Sequence, residues 1–306
     1  MAYLNPITLL NLDLAGAEEQ PASEWLKREK KRLLAEFELQ DSPVITINER
    51  EIDRATVLKL FSSLEDHSEW QNHRLVAERP ALQAFLEEAS LDLFYSGDIN
   101  LLQATTDEFR TFIAPHFATS YNKRLLHAFR QIDKEEIEIM SVQPLPIPTT
   151  HLAACYKDTY RNLHRRVSEI EALSQKVESE KAQPGGEVQE WCDEILIDVL
   201  NQLPAYFEGM RDRYGLALEE LAIAIHNTHK RIELSILILR QGLKLKVSEQ
   251  TRQRLQHVLD QLLLMAPEAS IFETISVSPE QKKAYGPILI GAGVVAVIWA
   301  LFKLLV

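Results

Sequence analysis

The chain has 306 residues, 46% of them hydrophobic and 25% charged, which suffices for about two compact domains and excludes a mainly disordered polypeptide. A formal net charge of -12 is repelled by phosphate backbones and anionic headgroups, which argues against nucleic acid as a partner and against membrane attachment through a basic surface. Two cysteines, Cys155 and Cys192, stand far apart in no metal-ligand spacing and read as buried thiols of a reducing compartment.

In chain order the pattern predicts an all-α protein. It divides into an N-terminal small helical domain over 1–140, a Pro-rich linker over 141–150, an antiparallel helical bundle over 151–266, a juxtamembrane linker over 267–286 and a single C-terminal transmembrane helix over 287–306. The opening MAYLNPITLL has no basic stretch and no long apolar run, so no secretory signal is expected. Asn5-Pro6 places an N-cap before a proline at the first helical position. Ser23 is expected to cap a second helix, with Glu24 in its first turn and Trp25, Leu26, Leu33, Leu34 and Phe37 at roughly helical spacing. The β-branched run Val44-Ile45-Thr46-Ile47 reads as a short strand or an extended connector. A further helix follows over Ile52 to Leu64, entered through Asn48 or Asp53.

Pro80 is expected to open a helix that Gly97 closes, and Pro115 to break or kink the helix carrying Phe109, Phe112 and Ile113. Prolines at 144, 146 and 148 predict a stiff extended spacer, hence the domain boundary. Beyond it, Tyr156, Leu163, Ile170 and Val177 repeat every seven residues in one long helix. Pro184-Gly185-Gly186 turns the chain into a second helix from Val188 to Leu203, giving an antiparallel hairpin. One long apolar-rich helix is expected over Leu216 to Val247. Ser248 then caps a last helix that Pro267 stops. A four-helix bundle is the economical architecture for this half.

The first forty residues resemble a known module. Pro6-Ile7-Thr8-Leu9-Leu10-Asn11-Leu12, then Ala22-Ser23 and the basic helix Trp25 to Leu39, look like helices I and II of a J domain, a chaperone-stimulating module. The family's functional His-Pro-Asp tripeptide would fall in the following loop, which here reads Gln40-Asp41-Ser42-Pro43. The resemblance therefore implies a degenerate J-like co-chaperone fold over 6–64 without the stimulating activity, and no functional residue carries over.

Residues Pro287 to Val306 contain one charged side chain, Lys303. Roughly 20 residues at ~1.5 Å rise span the ~30 Å of a bilayer core. Lys282, Lys283 and Tyr285 precede the run and Lys303 lies near its end, the positions that membrane-interface residues occupy. Ala292, Ala296 and Ala300, with Gly293 on the next ridge, form a small-residue face that would let two such helices associate. His226, His229 and Glu233 share a helical spacing that could ligate a metal, but the Glu-x-x-His pairs of carboxylate-bridged bundles are missing. They read as a polar face, as do His151, Cys155 and His164, so no metal or cofactor is expected. Lys27, Arg28, Lys31 and Arg32, interleaved with Glu24, Glu29 and Glu36, read as a solvated helix face and as a docking face for an acidic partner.

No phosphate-binding glycine loop, HExxH, GxSxG or CxxC occurs, so a non-enzymatic function is expected. The sequence points to a tail-anchored adaptor holding a cytoplasmic interaction module at a membrane, with unidentified protein partners or copies of itself. The alternatives are an oligomerising, membrane-perturbing effector acting through its C-terminal helix, the J-like co-chaperone, and an enzyme or ligand-binding bundle.

Overall fold

The computed structural model describes residues 3–12, 21–141 and 144–265. These are predominantly helical. The first helix, α1 (Pro6–Leu9), starts at Asn5, whose side-chain oxygen accepts from the Ile7 amide at 3.0 Å. Helix α2 (Ser23–Gln40) begins one residue earlier than expected, at Ser23 itself, and no side chain caps it. It buries Leu26, Leu33 and Phe37 and stops where Asp41 turns left-handed. The Val44–Ile47 run is a strand, β1, and pairs antiparallel with β2 (Arg50–Asp53). Asn48 and Glu49 join them in the two-residue left-handed turn that matches strand twist. Only Ile52 of β2 is apolar, which explains why a helical reading of that stretch was available from the pattern alone. Asp53 ends the strand and caps α3 (Arg54–Glu65), accepting from the Thr56 amide at 2.7 Å. Asp66 does the same for α4 (His67–Ala77).

Two apolar cores result. The smaller gathers α1, α2, the hairpin and α3 around Phe37, Ile45, Phe61 and Leu64, with Trp70 of α4 as its outer wall. The larger takes in Tyr3 from the segment before α1, then Val76, one and a half turns further along that same helix, and runs through to Leu262. It takes in α5 (Pro80–Glu88), α6 (Asp92–Tyr95), α7 (Ile99–Leu102), α8 (Asp107–Gln131), α9 (Lys134–Met140) and α10 (Leu152–Glu178). The expected division at 141–150 is therefore not where the cores separate. Leu145 and Ile147 are buried in the larger core, because apolar side chains between the prolines have a surface to pack on. The Gln103 amide holds the turn by donating to the Pro144 carbonyl at 3.0 Å.

Other punctuation falls differently from the expectation. The helix opened by Pro80 ends at Ala89 in left-handed conformation, and Gly97 (φ 77°) follows the separate turn α6. Pro115 lies inside α8 on its exposed side, where its ring meets no packed neighbour helix, and the helix continues through it. Ile132, a β-branched residue at φ 56°, stops α8 in place of a glycine.

The heptad stripe of α10 is buried as its spacing predicts, with Tyr156, Leu163, Ile170 and Val177 all at 2% exposure or less. One face of α10 packs on α8 and the other on α13 (Glu208–His229). The expected single helix from Val188 is two, α11 (Glu187–Trp191) and α12 (Glu194–Gln202), because Asp193 turns extended and caps the second by accepting from the Ile195 and Leu196 amides. The expected helix Leu216–Val247 is also two. Lys230 adopts φ 54° and folds α14 (Ile232–Lys244) back on α13, where Ser235 Oγ donates to the Ala222 carbonyl at 2.8 Å. Such a reversal lets both helices bury apolar faces in one body. Ser248 faces the first turn of α15 (Glu249–Met265), with its Oγ 3.4 Å from the Thr251 amide. The charged wall of α15 is fixed by Arg254, which pairs with the buried Glu219 of α13 at 2.7 Å.

Arg211 ties the end of this body together. Its guanidinium is buried and donates to the carbonyls of Lys246 (2.9 Å) and Leu203 (3.0 Å), closing the C-terminus of α12 and the α14–α15 turn. Residues 266–306, which hold the expected juxtamembrane linker and transmembrane helix, lie outside the described residues. Among the described residues, no helix is long and apolar enough to cross a membrane. Replacing Arg211 by Ala leaves those buried carbonyls unmet and lowers stability by about 3 kcal/mol in urea unfolding. Arg211→Lys recovers only part of the loss, since an ammonium lacks the planar fork.

Candidate functional site

The two cores meet along α4, and the seam contains a cavity of about 260 Å³. Three helices line it with residues one turn apart. Thr56, Lys59, Leu60 and Ser63 come from α3, Glu69 and His73 from α4, and Phe112 and His116 from α8. The segment before α1 closes the remaining side with Tyr3 and Leu4. Spacings of three and four on each helix bring these side chains to one face.

His73 organises the seam. It is buried, and the Tyr3 hydroxyl lies 2.7 Å from its Nδ1. Its backbone carbonyl accepts from the Asn5 side-chain amide at 2.9 Å. The Phe112 ring meets its edge at 5.0 Å between centroids, and the Tyr3 ring stacks on it at 5.7 Å. Burial, reinforced by neighbouring His116, pushes the His73 imidazole down to about 4. Burial and then the Lys59 charge also lower His116. Burial and the nearby Glu87 carboxylate raise the Tyr3 phenol well above its ordinary value. At neutral pH both imidazoles are uncharged and the phenol keeps its proton. The phenol and Nδ1 share this hydrogen bond, with the donor set by the tautomer of the ring. Nε2 is buried with no hydrogen-bond partner among the described residues. A buried polar atom left unmet costs about 1–3 kcal/mol.

The charges around the cavity are uncompensated. Lys59 and Glu69 are both exposed at the mouth, and neither forms an ion pair or a side-chain hydrogen bond among the described residues. Behind Tyr3, the Asn5 amide donates to Glu87 at 3.1 Å, and Glu87 is itself held by Arg50 of β2 at 2.6 Å. The N-terminal segment is thus fastened to both cores.

The residues expected to form sites are distributed as follows. Lys27, Arg28, Lys31 and Arg32 all lie on the exposed side of α2. Arg32 is occupied by Glu29 and Glu36, whereas Lys27, Arg28 and Lys31 have no ion pair among the described residues. His226 and His229 end α13, and the reversal at Lys230 carries Glu233 onto α14. His229 instead contacts the Ala182 carbonyl at 3.2 Å. Cys155 and Cys192 are free and buried, and burial pushes both thiols up to about 12, which makes them unreactive. Between α2 and α3, where the J-domain tripeptide would fall, the chain makes the β1–β2 hairpin. Ala292, Gly293, Ala296, Ala300, Lys282, Lys283, Tyr285 and Lys303 lie outside the described residues.

Sequence reasoning missed the cavity. The i,i+4 pairs Glu69/His73 and Phe112/His116 are visible in the sequence, but nothing local says that the two pairs face each other. Comparison with family models, with curated proteins and with solved structures finds no match to this chain.

The seam carries a pH signature. An unfolded chain takes up the His73 proton near its ordinary 6.5, whereas the folded chain resists it until about 4. Stability is therefore complete above pH 6.5 and falls as the pH drops through this window, by up to about 3 kcal/mol. Urea midpoints between pH 7 and pH 4.5 are expected to fall more steeply for the parent chain than for His73→Gln.

Proposed function

We propose that this chain is a membrane-tethered adaptor, with a folded helical body that docks an acidic protein partner. The reading is carried by residues 287–306, a run of bilayer length whose one charge, Lys303, sits where it can reach headgroups. The described body ends at Met265, with Leu264 and Met265 exposed. Residues 266–286 connect it to the tether and, fully extended, reach at most roughly 70 Å. Tethering of this kind raises the effective concentration of the body toward anything on the same surface.

The docking face is the exposed side of α2. On a chain of net charge -12, Lys27, Arg28 and Lys31, without an ion pair among the described residues, form a local basic patch. Such a patch orients an acidic partner and repels a basic one, and its effect weakens with salt. The small-residue face of Ala292, Ala296 and Ala300 would bring two tethers together in the membrane plane.

Deleting 287–306 is expected to move the protein from the membrane pellet to the soluble fraction with its helical circular dichroism intact. Membrane retention of the shortened chain through alkaline carbonate washing would refute the tether. With full-length protein in neutral-lipid nanodiscs, an acidic probe peptide such as oligo-glutamate should bind, and K27E/R28E/K31E should abolish that binding at low salt.

A further inference from the structure

We propose that the seam cavity is a binding site for one small zwitterion of the hydrophobic α-amino acid class. This goes beyond docking and tethering, and its failure would leave both standing.

Three observations converge on that class. The first is size. At about 260 Å³ the cavity is at the small end for ligand sites and has room for roughly nine water-sized groups at ~30 Å³ each, which suits a single amino acid. The second is the division of its wall. Leu4, Leu60 and the Phe112 ring make an apolar floor for a branched or aromatic side chain. The third is charge. Lys59 on α3 and Glu69 on α4 present one cation and one carboxylate to the same space without pairing to each other or to any described residue. A ligand with one charge would pair with Lys59 or Glu69 and leave the other to solvent. A ligand carrying a carboxylate and an ammonium satisfies both. His116 supplies a neutral imidazole beside Lys59, able to donate or accept.

Because the cavity lies between the cores, an occupant would touch α3, α4, α8 and the N-terminal segment at once. It would stabilise the seam by mass action, since only the folded arrangement offers all four walls.

Isothermal titration of the full-length chain in nanodiscs with L-phenylalanine and L-leucine tests the proposal. Saturable binding of one molecule per chain is expected for at least one of them. Phenethylamine and 3-phenylpropionate, each missing one charge, should bind about tenfold more weakly. Lys59→Gln and Glu69→Gln each alter an exposed residue without an ion pair, so the fold should survive, and each should weaken binding about tenfold. Three results would overturn the assignment: no saturable heat up to about 10 mM ligand, equal binding of a single-charge analogue, or unchanged affinity in both variants with unfolding midpoints like the parent's. A non-activity readout accompanies the titration, since ligand should raise the parent's melting temperature and leave that of the double variant unchanged.

Discussion

The larger core depends on the burial of one helix on two sides. Tyr156, Leu163, Val167, Ile170 and Val177 of α10 are all essentially inaccessible, and α8 and α13 reach them from opposite directions. Burying a large apolar side chain is worth about 1.5–3 kcal/mol, so this stripe is the largest single source of cohesion between the two halves of the chain. Tyr156 also continues a line of aromatic rings, meeting Tyr121 edge-on at 5.8 Å and Phe207 at 5.4 Å. Arg166 lies over the Phe129 ring at 5.6 Å, adding a cation–π contact from the same helix to α8. Truncating α10 would leave α4–α9 joined to α13–α15 mainly through α12, which packs on both α9 and α14.

The smaller core has a different relation to the rest. It joins the body through a helix that serves both, Trp70 facing one core and Val76 the other. The cavity follows from that arrangement. Where two independently filled cores abut along one helix, side chains at the seam belong fully to neither, and space is left between them. Polar and titratable groups such as His73, His116 and Tyr3 meet there, and Nε2 of His73 is left without a hydrogen-bond partner among the described residues. Lys59 and Glu69 at its mouth make this the part of the molecule where chemistry outruns packing.

Much of the fold was legible in the sequence. The heptad of α10, the Asn5-Pro6 start, the Asp53 cap as one of two starts offered, and the Ser248 start all follow from local patterns, because periodicity and capping chemistry act within a few residues. Three features were not legible for the same reason. The break at Asp193 and the reversal at Lys230 interrupt apolar patterns that read as continuous, the first through a local N-cap and the second through a left-handed residue. The burial of Leu145 and Ile147 depends on surfaces supplied from elsewhere, so three prolines misled about separation. The seam cavity needs α3, α4, α8 and the N-terminal segment to be placed before its residues can be seen together.

The N-terminal segment has a consequence for how this chain is made. Tyr3 bonds to a side chain 70 residues further along, and the Asn5 amide to one 82 residues away. From α8 onward, by contrast, each long helix packs mainly on its neighbours in chain order. Local contacts form quickly and distant ones wait for loop closure. During synthesis, Tyr3 and Asn5 therefore settle late, because their partners on α4 and α5 must be made and folded first. These residues are the latch that closes behind α4 and α5, and the seam is completed only when that latch falls into place.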